Sequence, residues 1–122
     1  MADIEKINIV SIIKNNVCVA PEDGEKVFQV ILKALHEGKK VEISFKGIED
    51  LTTLFLNVAI GKLYSEFRDE ELKEKLSVVD ASAQDLETLR RSVERAKEYH
   101  KDPTRFHSAT NEFLGEDDES DK

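Results

Sequence analysis

Two threonines, Thr52 and Thr53, stand between an acidic turn, Glu49-Asp50, and an apolar run that begins Leu54-Phe55-Leu56. Read as the start of a helix, this order puts both hydroxyls where backbone N–H groups lack intrahelical partners and the helix dipole is positive. A hydroxyl there caps the helix, contributing about 1 kcal/mol, or it carries a phosphate that the N–H groups accommodate. Thr53 and Thr52 are therefore the candidate phosphoacceptors. A phosphate adds close to two negative charges at neutral pH, so a partner surface that is apolar or acidic at that point would be driven off without refolding.

The other reactive side chains are isolated. Cys18 lies in the apolar triplet Val17-Cys18-Val19, a setting for a buried, inert thiol, because a reactive thiolate needs electropositive surroundings. His36, His100 and His107 are spread along the chain with no HxxxH or paired-cysteine spacing, so no zinc or other metal site is expected. The glycines at 24, 38, 47, 61 and 115 do not form a phosphate-cradling loop. Neither catalytic residues nor a cofactor are expected, and the chain does not read as an enzyme.

Composition narrows the partner class. The 122 residues suffice for one domain, and 26 acidic against 18 basic side chains leave a net charge of −8, which repels nucleic-acid phosphates. Arg90, Arg91, Arg95 and Lys97 alternate with Glu87, Glu94 and Glu98, as in helix-surface ion pairing at three- and four-residue spacing. A single cysteine and the lack of an apolar leader point to a reducing, cytoplasmic setting, and no segment is long and apolar enough to cross a bilayer.

The elements that must position the threonines follow from apolar spacing. Lys6 to Lys14 reads as a strand with Ile7 and Ile9 on one face and Val10 and Ile12 on the other, ended by Asn15 and Asn16; Val17 to Val19 extends it or pairs with it. Pro21 opens a helix carrying Val27, Val30, Ile31, Ala34 and Leu35, and Gly38 stops it. Val41, Ile43 and Phe45 alternate as a strand, after which Gly47 supplies a turn with positive φ. A second helix runs from the threonines to Phe67, interrupted by Gly61, whose cost implies a close neighbour, either the sheet or a partner helix. Leu54, Phe55, Leu56, Val58, Ala59, Ile60, Leu63, Tyr64 and Phe67 give it more apolar surface than one core-facing stripe needs, so part of it should face something else. Asp69 to Lys75 reads as a charged helical turn and Ser77 to Asp80 as a short strand. Ser82 and Asp85 read as the cap of a last helix that buries Leu86, Leu89, Val93 and Ala96. This alternation predicts an α/β domain over 1–103, a small mixed sheet of about four strands covered by helices, followed by an acidic tail over 104–122 that is disordered from about Ser108.

The stretch VEISFKGIEDLTTLFLNVAIGKL, with PEDGEKVFQVILKALHEGKK before it and LSVVDASAQDLETLRRSVERAKEY after it, resembles the STAS-like proteins grouped as DUF4325. The resemblance spans roughly Ile7 to Tyr99, and these domains look like relatives of the anti-sigma factor antagonists. It implies a small sheet covered by helices in a prokaryotic protein whose business is binding a partner protein, often a histidine-kinase-like ATPase. In the antagonists an Asp-Ser-Ser/Thr-Gly motif follows a strand, and the first hydroxyl after the aspartate receives a phosphate. Aligned through the strand, Thr52 stands on the aspartate, Thr53 on the phosphorylated serine, Leu54 on the next hydroxyl and Phe55 on the glycine. Only Thr53 keeps a suitable side chain, and Glu49 and Asp50 upstream are the acidic residues nearest to it.

The expected function is thus a non-enzymatic regulatory module that binds a partner through Glu49, Asp50, Leu54, Phe55 and Val58. The alternatives are a homo-oligomer, such as a dimer, whose two-fold interface Leu54, Phe55 and Val58 close, and a small-ligand or nucleotide sensor.

Overall fold

The computed structural model describes residues 3–101. Five strands and five helices alternate along the chain: β1 (Ile4–Asn8), α1 (Ile9–Ile13), β2 (Val17–Cys18), α2 (Pro21–His36), β3 (Lys40–Ser44), β4 (Asp50–Leu51), α3 (Thr53–Ala59), a 3-10 turn (Gly61–Ser65), α4 (Asp69–Lys75), β5 (Leu76–Val79) and α5 (Ala83–Lys101). The α/β expectation holds. The sheet is divided into a three-stranded part, ordered β1-β3-β5, and a two-stranded part, β2-β4. Every pairing is parallel, with Ile7 opposite Ile43 and Ile43 opposite Val78 in the larger part. Parallel neighbours need crossover connections, and α2 supplies the one between β1 and β3. The tail beyond Pro103 lies outside the described residues.

The first strand is shorter than its alternation suggests. Asn8 Oδ1 accepts from the Ser11 N–H at 2.8 Å, so β1 ends there and one turn of helix begins. The four-residue spacing of Ile9 and Ile13, both buried, then outweighs the two-residue pattern. Lys14, in the left-handed region at φ 58°, closes the turn.

Helix α2 matches expectation closely. Pro21 takes the first position, Glu22 and Asp23 lie at the positive end of the dipole, and Val27, Phe28, Ile31, Ala34 and Leu35 are buried. Gly38, at φ 81°, ends it, with its N–H on Leu35 O at 3.0 Å and the Lys39 N–H on Ala34 O at 3.1 Å.

The expected second helix is broken in two. Helix α3 stops at Ala59, and the chain tightens into the 3-10 turn after Ile60 (φ −123°, ψ −41°). Gly61 therefore opens a turn instead of interrupting a helix, and its neighbour is α5, with the Ala96 methyl at 3.6 Å from where a Cβ would stand.

The surplus of apolar residues has an internal explanation. Helix α3 packs against both α2 and α5. Phe55, Leu56, Ala59, Ile60 and Leu63 are all buried, Val58, Tyr64 and Phe67 are half-buried, and within this run Leu54 alone is exposed among the apolar side chains.

The last helix also corrects the sequence reading. Leu86 is 47% exposed, while Thr88 and Ser92 are buried and Leu89, Val93 and Ala96 are half-buried. Small hydroxyl side chains let α5 seat closely on α3, and Ser92 Oγ donates to Asn57 Oδ1 at 2.6 Å. Thr88 Oγ1 returns its proton to Gln84 O at 3.1 Å, so neither buried hydroxyl is left unpaired. The expected cap is present: Ser82 Oγ accepts from the Asp85 N–H at 3.0 Å.

Candidate functional site

The approach to Thr53 is pinned from below. Phe45 to Ile48 forms a tight turn closed by the Ile48 N–H on Phe45 O at 3.2 Å, with Gly47 at φ 91°. Two asparagines hold this turn: Asn8 Nδ2 donates to Lys46 O at 3.2 Å and Asn16 Nδ2 to Gly47 O at 2.8 Å. The Asn16 carbonyl then accepts from the Glu49 N–H at 2.9 Å, and Val17 and Cys18 pair with Asp50 and Leu51. The threonines thus leave a short, doubly anchored strand.

The two hydroxyls take different roles. Thr52 has extended backbone (φ −119°, ψ 158°) and caps α3, its Oγ1 accepting from the Phe55 N–H at 3.1 Å. Thr53 is the first helical residue, with an exposed side chain. Leu54 is 54% exposed, whereas Phe55 is fully enclosed in the core, so the aromatic ring forms no part of the outer surface. Val58 is half-buried, and Glu49 and Asp50 are exposed on the preceding turn.

Two shallow depressions of opposite character adjoin this point. Glu49 and Asp50, with Asp80, Ser82 and Asp85, line one of about 290 Å³ at the carboxyl ends of the strands. Thr53 lines the other, also about 290 Å³, with Asn57, Arg91, Ser92 and Arg95. The expected charge pairing on α5 is only partly realised. Arg90 bridges Glu87 and Glu94 (2.5 and 2.8 Å) and Lys97 reaches Asp69 at 3.4 Å, while Arg91 and Arg95 make no hydrogen bond or short ion pair among the described residues. The sequence reading assigned these two arginines to the same ion pairing, because Glu87 and Glu98 stand at pairing distance from them along the helix; the structure commits Glu87 to Arg90 instead.

The remaining reactive groups are accounted for by packing. Cys18 is buried, and desolvation first, then the charges of Asp23 and Asp85, push its thiol up to about 11. Burial, then Asp69, raises Tyr64 to about 12. His36 lies in the last turn of α2 and its ring packs at a tilt of 52° against Phe67, centroids 5.5 Å apart. His107 lies outside the described residues. Among the described residues no three His, Cys, Asp or Glu side chains come together as a metal site, and no helix is long and apolar enough to cross a membrane.

The raised thiol has two measurable consequences. Native protein at pH 8 should label with a thiol-disulfide reagent far more slowly than urea-unfolded protein, because the thiolate is the nucleophile. The folded pKa lies above the unfolded one, so the thiol's contribution is complete below about pH 8.5 and declines as pH rises towards 11. The fall in unfolding free energy across that window should be smaller in Cys18→Ala. Equal labelling rates in native and unfolded protein would contradict the burial.

Comparison with known proteins bears on the same segment. No curated protein and no solved structure gives a significant match to the chain. The profile of the STAS-like domain of unknown function (DUF4325) matches residues 23–86, from the first turn of α2 through both threonines to the start of α5. More than half of the chain is covered, and on that ground it belongs to the STAS-like DUF4325 family.

Proposed function

We infer that this protein is a regulatory binding module, without catalytic activity of its own, that docks a partner protein on the outer face of α3 at its start. The observation that carries this reading is the exposure of Leu54 immediately after the exposed Thr53. Val19 adds to the same end. Thr52 donates its N–H to Cys18 O at 3.2 Å, so Val19, the residue that follows β2 and is 38% exposed, lies near the threonines. Glu49 and Asp50 give the rim a negative edge and Val58 extends the apolar side, whereas Phe55 belongs to the core. An apolar centre with a charged rim is the usual anatomy of a protein interface. Family kinship favours a histidine-kinase-like ATPase as the partner and a prokaryotic, cytoplasmic setting. Phosphorylation of Thr53 is the proposed switch, since close to two negative charges beside Leu54 would oppose an apolar or acidic partner surface.

A photo-crosslinking residue at position 54 in the native cell tests this directly, with the same residue at Gln29, an exposed site on α2, as control. A partner trapped from position 54 and absent from position 29 is the expected result. Calorimetry with that partner should then show weaker binding for Thr53→Glu than for wild type, and unchanged binding for Thr53→Ala. Identical products from both positions, or equal affinity of all three forms, would refute the docking face or the switch respectively. A crosslink to a second copy of the chain would identify self-association instead.

A further inference from the structure

The cleft between α3 and α5 is lined by Thr53, Asn57, Arg91, Ser92 and Arg95, so two guanidinium groups, the Thr53 hydroxyl and the Asn57 amide supply hydrogen-bond donors there. We propose that this cleft is a binding site for a phosphate monoester group, held by Arg91, Arg95 and Asn57.

The two arginines lie four residues apart on α5, which places neighbouring side chains about one turn apart on the same face. Their neighbour Arg90 is committed to the carboxylates of Glu87 and Glu94. Arg91 and Arg95 escape that fate. Glu87 feels the charge of Arg91, but its carboxylate is committed to Arg90, whose two hydrogen bonds to it hold its pKa down.

The Asn57 amide is oriented by the helix packing. Buried Ser92 donates to Asn57 Oδ1 at 2.6 Å, which occupies the acceptor end and leaves Nδ2 with no partner among the described residues. No carboxylate lines the cleft. Two guanidinium forks and an amide N–H₂ suit the three acceptor oxygens and the double charge of a phosphate monoester better than a carboxylate or a neutral ligand. The phosphate has two possible bearers, Thr53 itself, whose side chain is part of the cleft wall, or a separate phosphorylated molecule. Both place the same group on the same donors. The inference goes beyond the docking face on α3, since the anion is gripped by α5.

The test uses the full chain and two probes. Inorganic phosphate titrated into ¹⁵N-labelled protein, against a chloride control at equal ionic strength, should saturably shift the side-chain N–H signals of Arg91, Arg95 and Asn57. Its affinity should fall about tenfold for each of Arg91→Gln and Arg95→Gln. The second probe is phosphothreonine incorporated at position 53. Its second pKa, read by ³¹P NMR, should lie about one unit or more below the ordinary value near 6 and return towards it in the double variant. Should that variant fold poorly, Asn57→Asp serves instead: it keeps an acceptor for Ser92 and sets a negative charge where the phosphate binds.

A lowered pKa with loss of free-phosphate binding identifies the Thr53 phosphate as the occupant. Saturable free-phosphate binding with an unshifted pKa identifies a separate phosphorylated molecule. No saturable shift together with an unshifted pKa overturns the proposal. Since no partner enters the experiment, that failure would leave the docking face on α3 standing, and a failed crosslink at position 54 would leave the cleft standing.

Discussion

Phe55→Ala should lower the stability of this protein by about 3–5 kcal/mol, while Leu54→Ala, one residue earlier, should change it by no more than about 0.5 kcal/mol. The phenyl ring is fully buried in the core, and its removal forfeits the transfer free energy and leaves a cavity that close-packed neighbours fill only in part. Leu54 is 54% exposed, so little apolar surface returns to water when it is truncated. For a domain of this size the first variant should melt roughly 15–30 °C below wild type and the second within about 4 °C of it, as thermal unfolding followed by circular dichroism would report. The order reverses for partner binding: Leu54→Ala should weaken it, and Phe55→Ala should weaken it only as far as the fold is lost. Equal melting points for the two variants would mean that α3 is not rotated as described.

Gly24→Val should also destabilise the protein, although less than Phe55→Ala and although the substitution lies on a different helix and removes nothing. A Cβ at position 24 would stand 2.8 Å from Phe55 O and 3.1 Å from Val58 Cβ, so the first turn of α2 lies almost against the backbone of α3. Overpacking of that kind costs about 1–3 kcal/mol, and here the obstacle is a backbone carbonyl that cannot rotate away. The gain in helix propensity on leaving glycine, about 1 kcal/mol for alanine and less for valine, opposes the loss without cancelling it in valine. Chemical denaturation should therefore show Gly24→Val about 2 kcal/mol less stable than wild type, with Gly24→Ala in between. Because the strain is relieved by moving α3, the amide signals of Thr53 and Leu54 should shift as well. Wild-type stability for Gly24→Val would show that the two helices are not in this contact. The tight approach thus couples a residue at the start of α2 to the docking face.

The sequence by itself determined most of the element order and the position of the hydroxyls, because those depend on local chemistry. Pro21 and Gly38 bound α2, Ser82 starts α5, Gly47 makes the turn, and Thr52 caps α3, each through backbone groups within a few residues. Local rules failed where two of them competed. Asn8 ended a strand that the alternation of isoleucines would have continued, because its side chain could satisfy the N–H of Ser11.

Only the tertiary structure decided which side chains of α3 and α5 face inward, since a helix does not reveal from its own apolar count how many neighbours it will have. Enclosed by α2 and α5, α3 buries Phe55 and keeps Leu54 outside; seated through Thr88 and Ser92, α5 exposes Leu86 and turns Arg91 and Arg95 towards Thr53. That meeting of residues 53 and 95 joins positions about forty apart in the chain, and spacing rules that reach three or four residues carry no information about it.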